Sequence, residues 1–198
     1  YGPGNNIHRT PYGGRNFEYY SEDGYLSGKM SQYEVAAIQE KGVHVVMKHF
    51  ALNDCEQDRI GLGVWLGEQA AREVYLKAFQ APLEEGNGNG VMMAYTRWGC
   101  IWSGGNKNLV TNIMRGEWGS KGMSITDNVL TTYVNGVDGI LAGTSIFDAM
   151  MPYVTNLLPE YKKDPVVVNA MREACHRNLY AIANSCGMNG VGANTTIS

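Results

Sequence analysis

Asp127 is the residue of this sequence whose type and position most clearly suggest chemistry. It follows Met123-Ser124-Ile125-Thr126, a run of apolar and small residues that predicts a buried strand over 122–126. Aspartate is depleted from β-sheets, so a carboxylate at the end of a strand needs a separate explanation. Asp127 could cap the next helix, because βα loops commonly end in an N-cap aspartate. It could also be catalytic, since strand ends form the active-site rim of a β/α barrel.

Polar residues also end two other predicted strands. The strand over 43–50 ends in Lys48-His49, the strand over 91–95 ends in Tyr95, and Arg15 lies in a glycine-rich loop over 1–28. Each of these side chains, taken alone, fits a structural role in the core or at the surface. Because parallel strands point the same way, we expect them to converge with Asp127. Arginine, lysine and histidine would then donate hydrogen bonds to neutral hydroxyls and keep a carboxylate ionised, as an aspartate nucleophile requires.

Composition and motifs argue against several other functions. The 198 residues carry a net charge of −3, so the chain lacks the basic field of a nucleic-acid partner. No run approaches the roughly 18 apolar residues of a membrane helix. No histidine, cysteine and carboxylate cluster has metal-ligand spacing, and no glycine-rich phosphate motif occurs. We therefore expect no cofactor and no metal. The sequence does not distinguish a cytoplasmic from a secreted protein.

Strand and helix patterns alternate along the chain, which predicts an α/β fold with a parallel sheet and helical crossovers. A fourth strand is predicted over 139–143. Helices are predicted from Ser31 (as the start of a capping box), over 68–85, over 108–116 and from Asp164-Pro165. The four cysteines are expected to be reduced, with Cys175 on a buried helix face. An eight-stranded barrel typically needs about 250 residues, so the chain is either an open sheet or part of a barrel.

Six stretches, in order, resemble glycoside hydrolase family 3, the β-glucosidase and β-xylosidase group. They are Gly2-Pro3-Gly4-x-Asn6-Ile7, Gly14-Arg15-x-Phe17-Glu18-x-x-Ser21-Glu22-Asp23, Lys48-His49-Phe50-Ala51-x-Asn53, Val91-Met92-x-x-Tyr95, Arg115-x-Glu117-Trp118-Gly119-x-Lys121-Gly122 and Thr126-Asp127. Each stretch alone is weak, but six in sequence over about residues 1–145 are specific.

The resemblance implies the C-terminal portion of a (β/α)8 TIM-type barrel whose N-terminal strands precede Tyr1. It implies retaining, exo-acting hydrolysis of terminal β-linked glucose or a similar sugar, with a β-glucoside or oligosaccharide as substrate. Asp127 matches the nucleophile, and Tyr95 matches a tyrosine close to it. Arg15, Lys48 and His49 match residues that hold the glycone hydroxyls. The acid/base is expected from outside this chain, in most such enzymes from an α/β sandwich domain of the same polypeptide.

Departures from the family pattern limit what the resemblance implies. The family commonly has Trp after the nucleophile, whereas this chain has Asn128, which removes one aromatic wall of the sugar pocket. A family aspartate that binds sugar hydroxyls has no counterpart here and would lie upstream. Residues 1–190 are expected to form a partial barrel domain, inactive in isolation, and residues 191–198 a flexible tail. A non-catalytic carbohydrate-binding relative that kept the pocket is the alternative function.

Overall fold

The central element of the fold is a parallel sheet. A computed structural model describes residues 1–149 and 159–188, together with residues 194 and 196. The sheet contains β1 (Met47–Phe50), β3 (Gly90–Met93) and β6 (Met123–Thr126) in the order β1-β3-β6, with both neighbouring pairs parallel. Single parallel bridges extend it at both edges, from Gly4 to Lys48 and from Ile146 to Ile125. Five chain segments therefore run side by side, and the parallel sheet that the alternating pattern predicted is confirmed.

A smaller sheet lies after the carboxyl ends of these strands. It consists of β2 (Gly63–Val64), β4 (Arg97–Trp98) and β5 (Ile101–Trp102), in the order β2-β4-β5. Its strands come from the connections that leave β1 and β3. These connections are therefore not free loops, because their backbones are paired with each other close to the carboxyl end of the main sheet.

Helical segments connect the strands. They are α1 (Gly24–Glu40), α2 (Glu68–Ala70), a π-helix (Ala71–Tyr75), α3 (Lys77–Glu84), a second π-helix (Asn108–Glu117), α4 (Gly136–Ala142), α5 (Pro165–Ala183) and 3₁₀ turns at Ser103–Gly105, Pro159–Lys163 and Cys186–Met188. The core lies between these segments and the sheet, where Phe50 packs edge-to-face against Phe79 at 5.2 Å between ring centroids. None of the described helices is both long and apolar enough to cross a membrane.

The predicted start of the first helix is wrong. The helix α1 begins at Gly24, and Asp23 caps it by accepting hydrogen bonds from the N–H groups of Tyr25 and Leu26. Ser31, the predicted cap, is fully buried in mid-helix. The reason lies in Gly24 and Gly28, which pass so close to the segment 71–84 that a Cβ on Gly24 would collide with the carbonyl oxygen of Val74. Glycine there allows close helix packing, whereas the sequence pattern favoured a loop.

The strand predicted over 139–143 is also wrong, because these residues belong to α4. Asn135 caps this helix through its side chain, and Gly143 ends it with a left-handed φ of 106°. The strand position is taken instead by the segment that carries Ile146. A short apolar run between glycines does not distinguish a helix from a strand.

The final helix confirms its predicted start, but the prediction that Cys175 lies on its buried face is wrong. Asp164 caps α5 and accepts a hydrogen bond from the Val166 N–H. All four cysteines are free. Cys175 is exposed, whereas Val167 and Ala174 of the same helix are buried. The predicted tail, residues 191–198, lies outside the described residues apart from Asn194 and Thr196.

Candidate active site

The five residues singled out in the sequence lie together at the carboxyl end of the parallel sheet. Lys48 and His49 belong to β1, Tyr95 follows β3 and Asp127 directly follows β6. Arg15 reaches them from the first loop, with its Nη1 3.1 Å from His49 Nε2. His49 Nε2 in turn lies 3.6 Å from Asp127 Oδ2.

Glu18 connects the two cations of this group. Its Oε2 accepts from Arg15 Nε at 2.6 Å, and its Oε1 accepts from Arg15 Nη2 at 2.9 Å. The same Oε1 lies 2.8 Å from Lys48 Nζ. Burial acts to raise the pKa of the Glu18 carboxyl, but the hydrogen bonds from Arg15 and Lys48 outweigh it and lower that pKa to about 2. One carboxylate thus holds both cationic side chains in fixed positions.

His49 is held in place through its backbone and its ring. The side chain of Asn6 accepts from the His49 N–H at 2.8 Å and donates to the His49 carbonyl at 3.0 Å. The ring nitrogen Nδ1 lies 3.3 Å from Tyr19 Oη. Burial, reinforced by the charges of Arg15 and Lys48, lowers the pKa of His49 to about 3. The imidazole is therefore neutral at physiological pH.

Asp127 is partly buried, with 15% of its side chain exposed. Its Oδ1 accepts a hydrogen bond from the Asn128 N–H at 2.8 Å. Burial raises the pKa of the Asp127 carboxyl, whereas the Asn128 hydrogen bond and the charges of Arg59 and Arg15 act to lower it. The helix-cap interpretation of Asp127 is wrong, because the next helix, α4, is capped by Asn135.

Tyr95 supports the backbone beside Asp127. Its hydroxyl donates to the carbonyl oxygen of Asn128 at 2.7 Å. Its ring packs edge-to-face against Tyr133 at 4.9 Å between centroids. Burial, followed by the nearby charge of Asp127, raises the pKa of Tyr95 to about 12, so its hydroxyl stays protonated and can donate. The structure thus gives Tyr95 a contact with the residue after Asp127.

Three residues that sequence reasoning did not assign to the site take part in its network. Glu18 lies within the motif quoted for Arg15. The motif indicated that Glu18 is close to the site, but it did not indicate the bonds that Glu18 makes to Arg15 and Lys48. Glu56 and Arg59 lie in the polar loop after β1, and Arg59 Nη1 is 3.1 Å from Glu56 Oε2 and 3.8 Å from Asp127 Oδ2. The only sequence signal for these two was the length and polarity of their loop.

Within the described residues, no group of three or more histidine, cysteine or carboxylate side chains is arranged to hold a metal ion. The site instead combines one carboxylate that faces outward, two cations tied to a second carboxylate, and a neutral histidine. Such a set can bind several hydroxyl groups and present a carboxylate to a carbon centre.

Sequence comparison identifies the family. The profile described as "Glycosyl hydrolase family 3 N terminal domain" matches residues 1–139, so the chain belongs to this family. A beta-glucosidase from Ruminococcus albus is 40% identical over 126 residues, which cover 64% of this chain and 13% of that protein. An exo-alpha-(1->6)-L-arabinopyranosidase from Bifidobacterium breve is also 40% identical over 126 residues, covering 64% of this chain and 17% of that protein.

Solved structures show the same relationship. Beta-glucosidase 3B from Thermotoga neapolitana, in complex with glycerol, superimposes with a TM-score of 0.88 at 29% identity and covers 95% of this chain. A GH3 beta-glucosidase from Bifidobacterium adolescentis gives a TM-score of 0.88 over 99% of this chain. The chain covers 27% and 29% of those two structures, respectively.

Proposed function

We propose that this chain is the C-terminal portion of the catalytic (β/α)8 barrel of a longer, retaining, exo-acting β-glycosidase, with Asp127 as the nucleophile. The observation that carries the proposal is the position of Asp127 at the carboxyl end of β6, next to Arg15, Lys48 and His49. In barrel enzymes this end of the sheet is where catalytic residues lie. The beta-glucosidases among the relatives support a β-linked glucose or similar sugar as the glycone.

The reaction requires two carboxyl groups. In the first step Asp127 attacks the anomeric carbon while the bond to the leaving oxygen breaks, and a carboxylic acid protonates that oxygen. In the second step the same acid, now a base, activates a water that releases the sugar from Asp127. The two carboxyl groups of a retaining enzyme lie about 5–5.5 Å apart. This chain supplies the nucleophile, and the acid/base comes from another part of the polypeptide.

Attack by Asp127 requires an ionised carboxylate. Burial opposes ionisation, since it raises the pKa of Asp127. The hydrogen bond from the Asn128 N–H favours the charged form, and so does the positive charge around Arg15. The arrangement therefore combines a water-poor setting, which favours bond formation to carbon, with groups that keep the nucleophile charged.

Sugar hydroxyls would be bound by the donors that the network leaves free. Lys48 Nζ has three hydrogens and uses one toward Glu18 Oε1 at 2.8 Å, so two can point to substrate. Arg15 commits Nε and one hydrogen of Nη2 to Glu18 and directs Nη1 toward His49. Lys48 is thus the main donor to hydroxyls, and Glu18 fixes the direction from which it donates.

The proposal is tested by replacing the nucleophile in the full-length enzyme. Asp127→Ala should abolish release of p-nitrophenol from aryl β-glucosides, and added azide should partly restore it by attacking in place of the carboxylate. A 2-deoxy-2-fluoro glycoside should label Asp127 in the wild type, detected by peptide mass spectrometry. Asp138→Ala, in the first turn of α4, is the control and should retain activity.

The outcomes separate the enzyme from its alternative. Wild-type turnover in Asp127→Ala, or a label on another residue, would exclude Asp127 as nucleophile. Glycoside binding by the wild type without any turnover would favour a non-catalytic carbohydrate-binding protein. Comparing p-nitrophenyl glucoside with xyloside and arabinopyranoside would define the glycone.

A further inference from the structure

Arg59 places a positive charge next to Asp127. It lies in the connection between β1 and β2, with 26% of its side chain exposed, and its guanidinium carbon lies 4.5 Å above the centre of the Tyr95 ring. Its Nη1 is 3.8 Å from Asp127 Oδ2. We propose that Arg59 is a positioning residue that holds the Asp127 carboxylate ionised and oriented for attack. The inference rests on the proposed role of Asp127 as nucleophile.

His49 lies closer to Asp127 than Arg59 does, but it cannot hold the Asp127 carboxylate ionised. Arginine nitrogens only donate hydrogen bonds, so His49 Nε2, 3.1 Å from Arg15 Nη1, must be the acceptor. The hydrogen of the neutral ring is then on Nδ1 and points toward Tyr19 Oη at 3.3 Å. The 3.6 Å approach of His49 Nε2 to Asp127 Oδ2 therefore joins two acceptors and is not an ion pair. Arg59 is the cation that faces Oδ2.

Two neighbouring side chains, one on each side, hold the guanidinium of Arg59 in place. Glu56 Oε2 lies 3.1 Å from Arg59 Nη1, and Glu56 Oε1 is itself held by Asn53 Nδ2 at 2.7 Å. On the other side, the Tyr95 ring stacks beneath the guanidinium in a cation–π contact.

Tyr95 also connects this cation to the nucleophile. Its hydroxyl donates to the carbonyl oxygen of Asn128, the residue directly after Asp127, at 2.7 Å. The edge-to-face contact with Tyr133 fixes the ring of Tyr95 in turn. The cation and the carboxylate therefore share one support, and their separation does not depend on the conformation of an isolated loop.

Several charged or titratable groups face Asp127 from the surrounding elements. They are Arg15 from the first loop, His49 from β1, Glu56 and Arg59 from the connection after β1, Tyr95 after β3 and Tyr133 after β6. His49 and both tyrosines are neutral at physiological pH, and Glu56 is an acidic side chain that opposes ionisation of Asp127. Arg15 is shared with Glu18, so removal of Arg59 would leave mainly the hydrogen bond from the Asn128 N–H to oppose burial and Glu56.

The decisive measurement is the pH dependence of kcat/KM, whose acid limb reports the free enzyme's essential base. In the full-length enzyme, Arg59→Met should move this limb upward by about one pH unit, since an opposite charge at this range shifts a carboxyl pKa by roughly 1–3. Arg59→Gln, a second neutral variant, should give the same shift if Arg59→Met does not fold. Arg59→Lys, which retains the charge, should move the limb by less than either.

A surface arginine in a comparable double ion pair provides the matched control. Arg72 pairs with Glu68 and Glu117 away from the site, so Arg72→Met should leave the acid limb unchanged. An unmoved acid limb in folded Arg59→Met or Arg59→Gln, in an enzyme whose Asp127 is labelled by the fluoro glycoside, would overturn this inference alone. Absence of the label on Asp127 in the wild type would overturn the proposed nucleophile and this inference together.

Discussion

The two ends of the parallel sheet each hold a largely buried arginine, but different groups face it. At the carboxyl end, Arg15 is paired with the Glu18 carboxylate. At the amino end, Arg115 donates to the carbonyl oxygens of Gly122 and Gly143 and to Ser124 Oγ. Burial lowers the pKa of Arg115 to about 9, with a smaller contribution from Arg177, so it is still charged at neutral pH.

This difference indicates what each charge does. At the carboxyl end, a carboxylate fixes the direction of cations that still have free donors and face an open site. At the amino end, the three hydrogen bonds of Arg115 connect the start of β6 to the end of α4. In barrel folds the amino end of the sheet is associated with stability and the carboxyl end with chemistry. Mutations should therefore separate activity from stability according to the end at which they fall.

Glu18→Gln should give the largest effect at the carboxyl end. It keeps the shape of the side chain but removes the charge that holds Arg15 and Lys48, so these donors would no longer point to the sugar hydroxyls. We expect kcat/KM of the full-length enzyme to fall about 100-fold, the cost of misplaced substrate-positioning groups. Glu117→Gln, which weakens the surface pair with Arg72, is the control. Equal losses from both variants would contradict the comparison.

Arg115→Met should give the largest effect at the amino end. The variant removes the side-chain donor to the Gly122 carbonyl, and it leaves the Gly143 carbonyl with the Ser124 hydroxyl as its side-chain donor, both in a largely buried position. The free energy of unfolding, measured by urea titration, should fall by about 2 kcal/mol while KM is unchanged. Arg97, whose carbonyl contacts are more exposed, supplies the control, and Arg97→Met should cost less. A raised KM with unchanged stability would assign Arg115 to the site instead.

The contribution of Glu18 to stability should depend on pH. Its folded-state pKa of about 2 lies below the ordinary 4.5, so its stabilisation is complete above about pH 4.5 and is lost as the pH falls toward 2. The difference in unfolding free energy between wild type and Glu18→Gln should therefore be larger at pH 6 than at pH 3. An equal difference at both values would show that the ion pairs of Glu18 do not stabilise the fold.

Replacement of His44 should give the smallest effect. At neutral pH it should raise the free energy of unfolding, whereas the changes above lower it or reduce activity. Both of its ring nitrogens are buried and have no hydrogen-bond partner within the part of the chain that the structure describes, and burial lowers the pKa of His44. His44→Leu should raise the unfolding free energy by about 0.5 kcal/mol at pH 7, because it removes an unsatisfied polar group. The gain should grow below pH 6.5, where the unfolded wild type takes up a proton that the folded state resists. A destabilised variant at pH 5 would refute this.

The positions of the candidate site residues could be predicted because they depend on strand ends. An apolar run followed by Lys48-His49, Tyr95 or Asp127 indicates where each strand stops, and parallel strands then bring these ends together. The roles of Glu18, Glu56 and Arg59 could not be predicted in the same way. These residues lie in irregular connections, whose paths depend on tertiary contacts and not on a local period.

The errors in the fold have specific physical causes. Gly24 and Gly28 resemble loop residues, but they belong to α1 because neighbouring backbone leaves no space for a Cβ. The run Ile140-Leu141-Ala142 resembles a buried strand, yet the side chain of Asn135 starts a helix before it. In both cases a side chain or a packing contact distant from the pattern decided the structure.

The side-chain amide of Asn6 acts as an inserted peptide group. By accepting from the His49 N–H and donating to the His49 carbonyl, it continues the pairing of β1 beyond the bridge between Gly4 and Lys48. Aspartate would lack the donor, leucine would lack both functions, and glutamine would place its amide one carbon too far away. In a saturation mutagenesis selection for activity, position 6 should therefore tolerate almost no substitution, although its side chain acts on the backbone of His49.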